Sequence, residues 1–76
     1  MKIKKYVNLE ELRKLGYRYE ENLIYPTYRK VLKQGKGKVI IEILVLNREI
    51  FINKNSKIKK EQYRYINDLK RFDLLE

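Results

Sequence analysis

The chain has no cysteine, no histidine, no tryptophan and no alanine, with one proline and three glycines among 76 residues. Each absence excludes chemistry. Without cysteine there is no disulfide framework, no thiolate nucleophile, no iron–sulfur cluster and no ordinary structural zinc site. Without histidine there is no Ser-His-Asp triad, no imidazole base and no histidine switch near neutral pH. A metal would have to be held by carboxylates alone. The ten acids lie mostly in adjacent or helical ion-pairing positions, and no D-x-D-x-D-G loop occurs. No constellation of catalytic groups emerges, so the chain reads as a binding protein rather than an enzyme, with no cofactor.

Long apolar runs are also missing. The longest, Ile43 to Leu46, is far short of the ~20 residues that span a bilayer. The start, Met1-Lys2-Ile3-Lys4-Lys5-Tyr6-Val7, is basic but has no apolar core of a signal peptide. The expectation is a cytoplasmic protein with no membrane partner. At 76 residues it has room for one domain, spanning 1–76.

What is present in excess is positive charge: 19 Lys and Arg against 10 Asp and Glu, net +9. Such a balance suits an anionic partner such as DNA, RNA, a nucleoprotein or an acidic protein surface. A compositional reading stands beside it. Lys, Ile, Asn and Tyr supply 35 of the 76 residues, and all four have A/T-rich codons, so base composition can raise lysine without selection for binding.

Asn8 to Gly16 gives the clearest local signal. Asn8 is an N-cap, Glu11 completes a capping box, and Val7 and Leu12 stand at the staple positions. Arg13 and Lys14 suit the C-terminal end of a helix dipole, and Gly16 suits a left-handed stop. Tyr17 to Glu21 alternates aromatic and charged residues, as a strand does. Pro26 favours extended backbone at Tyr25. Thr27 to Lys33 reads as a strand, Gln34-Gly35-Lys36-Gly37 as a hairpin turn, and Lys38 to Leu46 as the strongest strand. Val39, Ile41, Ile43 and Val45 form one apolar face of it, and Ile40, Leu44 and Leu46 make the other mostly apolar. A strand of that kind is covered on both sides. Either each face receives a helix or a second subunit closes one of them, which makes a homodimer through the apolar sheet face an expectation.

Asn47-Arg48 reads as a tight turn and Glu49 to Asn53 as a returning strand, with Ile50 and Ile52 on one side and Phe51 on the other. Asn53-Lys54-Asn55-Ser56 reads as a polar linker, with Ser56 placed to cap a helix from about Lys59 to Leu74. There Tyr65, Ile66, Leu69 and Phe72 form a helical stripe, and Arg64 can pair with Asp68. The expected fold is α+β: a three-stranded antiparallel sheet between a short N-terminal and a longer C-terminal helix. A fourth strand is allowed at the N-terminus or at Tyr17.

The charge is uneven. Residues 29–60 hold ten bases and two acids, and no acid occurs between Glu21 and Glu42. Two clusters are candidate phosphate contacts. Arg29, Lys30, Lys33, Lys36 and Lys38 surround the Gly35/Gly37 turn, where a basic hairpin tip can approach a phosphate backbone. Lys54, Lys57, Lys59 and Lys60 precede the last helix, where lysine opposes the dipole unless an anion is present. The structural alternative is that both are solvated surface and that edge lysines block aggregation. Tyr25 and Tyr28 could add stacking.

Two stretches carry a resemblance. Val7-Asn8-Leu9-Glu10, Leu12, Lys14-Leu15-Gly16-Tyr17 and Tyr19-Glu20 form one; Ile66-Asn67-Asp68-Leu69-Lys70 and Leu74-Leu75-Glu76 form the other. They resemble the ends of small uncharacterised proteins encoded by phages and prophages of low-GC Gram-positive bacteria. Members of that group commonly carry Gly where Asp73 stands here. The resemblance implies a phage-type origin and supplies no activity. The order of three strands and a helix is also similar to small domains that lay a sheet on DNA, such as the arm-binding domains of phage integrases. A protein-interaction module, such as an inhibitor of a host factor, and a structural or assembly component are the rival expectations.

Overall fold

A computed structural model describes residues 1–21, 24–34, 37–54 and 62–76, with Gln34, Lys54, Gln62 and Tyr63 described by backbone only. The fold is α+β. An N-terminal 3-10 helix, Leu9–Leu15, leads into four strands: β1 (Arg18–Glu20), β2 (Thr27–Gln34), β3 (Gly37–Leu44) and β4 (Ile50–Lys54). A 3-10 turn, Gln62–Ile66, then runs into α1, Asn67–Arg71. The sheet is antiparallel throughout, with strand order β1-β2-β3-β4. The strand expected at Tyr17 is therefore β1, while the N-terminus contributes only the isolated bridges Lys2↔Glu49 and Ile3↔Leu75.

Both helical ends close by the same device. Gly16 is left-handed at φ 93° and donates to Arg13 O, while Tyr17 N donates to Leu12 O at 3.1 Å. This satisfies carbonyls that a helix end otherwise leaves unpaired. At the C-terminus Asp73, φ 56°, takes that place: Asp73 N donates to Lys70 O at 3.1 Å and Leu74 N to Leu69 O at 2.9 Å. In each case the residue after the stop packs with the core, beside buried Leu12 or Leu69.

These stops explain where the helices differ from expectation. The apolar stripe predicts a helix running on to Leu74, but it ends at Arg71, because Asp73 reverses the chain. Leu74 and Leu75 then return against the N-terminal segment, with Lys4 N donating to Leu74 O at 2.8 Å. Phe72, expected within the stripe, is exposed. Asp68 pairs with Lys30 rather than Arg64, and the Glu11 carboxylate pairs with Lys14 rather than closing a capping box. Asn8 does cap, accepting from Glu10 N at 3.0 Å. The Ser56 cap and the helix start near Lys59 lie outside the described residues.

β3 also ends earlier than expected, at Leu44. The turn that follows is wider than Asn47-Arg48: Arg48 N donates to Leu44 O at 2.9 Å and Leu44 N to Glu49 O at 3.0 Å. Arg48 is left-handed at φ 62°, and its guanidinium donates to Lys4 O at 2.9 Å and Val7 O at 2.6 Å. That tie fastens the turn to the N-terminal segment.

The core lies on one side of the sheet. Val39, Ile41 and Ile43 of β3 are fully buried, with Tyr28 of β2 and Ile50 of β4 on the same face. Leu12, Tyr17, Ile66 and Leu69 cover them from the helical layer, together with Ile3. Tyr17 is buried with its hydroxyl lacking a hydrogen-bond partner. Burial, and then the Asp68 carboxylate, push its phenol above the usual range. Tyr28 is raised by desolvation and then by its hydrogen bond to Glu10. A raised phenol pKa contributes stability that is complete below the unfolded value of about 10 and is lost as pH rises through the folded value. The fold should therefore weaken in alkali. Tyr17→Phe removes a buried unmet donor while keeping the ring face beneath the Lys30 ammonium, so it should stabilise the protein by about 1 kcal/mol. It should also reduce the alkaline loss, as read by urea denaturation at pH 7 and above pH 10.

Candidate functional site

The register places each remaining side chain on the other face of the sheet. Residues paired across strands share a face. Opposite the core, four rows therefore cross the sheet. One row is Leu44, Thr27 and Glu20; the next is Phe51, Glu42, Arg29 and Arg18; then come Asn53, Ile40 and Val31; the last is Lys38 and Lys33. No described helix buries this face as the core face is buried. Val31 is 47% exposed and Phe51 43%, against 0% for Val39, Ile41 and Ile43. The two helical segments thus do not take one face each, as the two apolar sides of β3 would suggest.

Two pairs of like charges stand directly opposite each other on the open face: Arg18↔Arg29 and Lys33↔Lys38. Such pairs destabilise a sheet. Four ion pairs between described residues leave Arg18, Arg29 and Lys33 aside. Lys4 meets Asp73 at 2.8 Å, Arg13 meets Glu10 at 2.7 Å, Lys14 meets Glu11 at 2.9 Å and Lys30 meets Asp68 at 3.0 Å. Among the described residues Arg18, Arg29 and Lys33 have no ion pair, and the Arg29 Nε is buried without a hydrogen-bond partner. Glu42, beside Arg29 in its row, accepts instead from Asn53 Nδ2 at 2.8 Å. A shallow cleft of about 300 Å³ opens between Gly16, Arg18, Arg29 and Val31, where β2 continues past the end of β1. A second of about 240 Å³ lies between Tyr25, Glu42 and Leu44.

The sequence-predicted residues divide accordingly. Arg29, Lys33 and Lys38 share the open face. Lys30 projects to the core face, where its ammonium pairs with Asp68 and lies 5.2 Å from the Tyr17 ring centre, so it fastens α1 to the sheet. Lys54 ends β4 with its backbone opposite Val39. Lys36, Lys57, Lys59 and Lys60 lie outside the described residues. Tyr28 is in the core rather than available for stacking. Two residues are gained: Arg18, brought opposite Arg29 by the β1–β2 register, and Phe51.

A larger cleft, about 480 Å³, lies on the helical side between Glu10, Arg13, Tyr19, Tyr28 and Arg48. Its polar groups serve one another. Tyr28 donates to Glu10 Oε1 at 2.9 Å, Arg13 donates to Glu10 Oε2 at 2.7 Å, and Arg48 is committed to backbone carbonyls. Among the described residues no three acids gather where a metal could be held, and no helix is long and apolar enough to cross a membrane.

No protein-family model, curated protein or solved structure matches the chain.

Proposed function

We propose that the protein is a small non-enzymatic accessory protein, of the phage or mobile-element type, that binds nucleic acid through the open face of its sheet. The observation that carries this reading is the cationic character of that face. Arg18, Arg29 and Lys33 have no ion pair among the described residues, and they stand in like-charge registers that folding alone disfavours. An anionic partner offsets that repulsion, and phosphates are suitable anions for arginine and lysine. The same face argues less well for self-association, because a second copy would bring these cations against their own kind. The resemblance of two stretches of the chain to phage-encoded proteins supports the phage-type origin alone.

The test is fluorescence anisotropy with labelled oligonucleotides at rising salt. Three to four phosphate contacts give a slope of log affinity on log salt of about −2 to −3, a loss of about 15- to 65-fold between 50 and 200 mM. Affinity indifferent to salt, or no binding at 50 mM, would contradict the reading. In that case a partner protein retained from nuclease-treated lysate would favour a protein-interaction module.

A further inference from the structure

Resting on that reading, we infer that the open face takes single-stranded rather than duplex nucleic acid. The arrangement of the rows carries this. The cations lie at two borders: Arg18 and Arg29 toward the β1 edge, and Lys33 and Lys38 toward the β2–β3 hairpin. Between and beside them are Val31, Ile40 and Phe51, with Val31 47% and Phe51 43% exposed. Along β2, Arg29 and Lys33 are four residues apart, about 13 Å at strand rise.

A duplex meets a protein with its phosphates outward and its base faces hidden. Set against this face, it would press Ile40 and Val31 of the middle row against an ionic backbone, removing water from both with no contact between them in return. Nor does the face fit inside a duplex. The row from Arg18 to Phe51 crosses four strands, about 14 Å between the outer backbones, whereas the major groove is about 12 Å wide and admits a two-stranded ribbon. A single strand has neither difficulty. Its unpaired bases lie against Phe51, Ile40 and Val31, and its phosphates reach the cationic borders. Stacking on an aromatic ring accepts every base, so the site distinguishes strandedness rather than sequence. The cleft at Tyr25 and Leu44 extends the apolar ground beyond the central rows.

The experiment compares one labelled oligonucleotide, single-stranded and annealed to its complement, by anisotropy with the full chain at 100 mM salt. The single strand is expected to bind at least tenfold more tightly. Phe51→Ala should weaken single-strand binding by about 5- to 150-fold, the loss of one stacked base, and change duplex binding less than twofold. Val31→Ser, at a more exposed position, is a second variant should the first fail to fold, and it should shift single-strand affinity in the same direction. Equal affinity for both forms, or equal weakening of both by these variants, would overturn this inference and leave nucleic-acid binding standing. Absence of binding to either form at 50 mM salt would overturn both.

Discussion

Reversing two charges on the open face, Arg18→Glu with Lys33→Glu, should weaken nucleic-acid binding about 100-fold at 0.1 M salt and at the same time stabilise the fold. Both effects follow from the register. Each substitution removes one phosphate contact, and a contact with a salt exponent of 0.7–0.9 accounts for roughly five- to eightfold in affinity at 0.1 M. Repulsion of phosphate by the new carboxylates adds the remainder. In the unbound protein the same carboxylates face Arg29 and Lys38, so two like-charge pairs become two opposite-charge pairs. At exposed positions that should raise stability by about 0.5–1 kcal/mol. Urea denaturation and anisotropy on the same preparation read the two effects. A variant that lost stability and affinity together would indicate that the cations serve the fold.

The second large effect distinguishes the two faces of β3. Ile41→Ala should cost about 3 kcal/mol and lower Tm by about 15 °C, because its side chain is fully buried between the sheet and the helical layer. Its neighbour Ile40 is half-buried on the open face, and Ile40→Ala should cost about 1 kcal/mol. Thermal denaturation of the two variants measures the difference. Equal losses would mean that the open face is as well covered as the core face.

That contrast also marks the limit of what the chain reveals by inspection. Where a residue acts locally, its role is legible. Asn8 and Gly16 bound the first helix because a side-chain acceptor and a left-handed backbone work within a few residues. Alternation gives the strands, and Thr27 to Gln34 and Gly37 to Leu44 fall close to their expected bounds. Which face of β3 is covered is a different kind of fact. Ile40 and Ile41 are the same residue type one position apart, and only the helical layer decides between them. The end of α1 was obscured for a similar reason. Phe72, Leu74 and Leu75 continue an apolar pattern, yet Phe72 is exposed and the left-handed Asp73 sends Leu74 and Leu75 back against the N-terminal segment.

The candidate site was half legible. Counting charges along the chain finds Arg29, Lys33 and Lys38, but also admits Lys30, whose strand parity sends it to Asp68. Arg18 escapes such a count because it precedes the basic block and reaches Arg29 only through strand pairing. The signal was available in the alternation of Tyr17 to Glu21, which separates Arg18 from the inward Tyr17 and Tyr19.

The most direct measurement is an amide chemical-shift titration of the isotope-labelled protein with a single-stranded oligonucleotide. The largest shifts should fall at Arg18, Arg29, Val31, Lys33, Ile40 and Phe51, with the 3-10 helix Leu9–Leu15 and α1 nearly silent. Shifts concentrated on the helical side, with the open face of the sheet unmoved, would contradict the account.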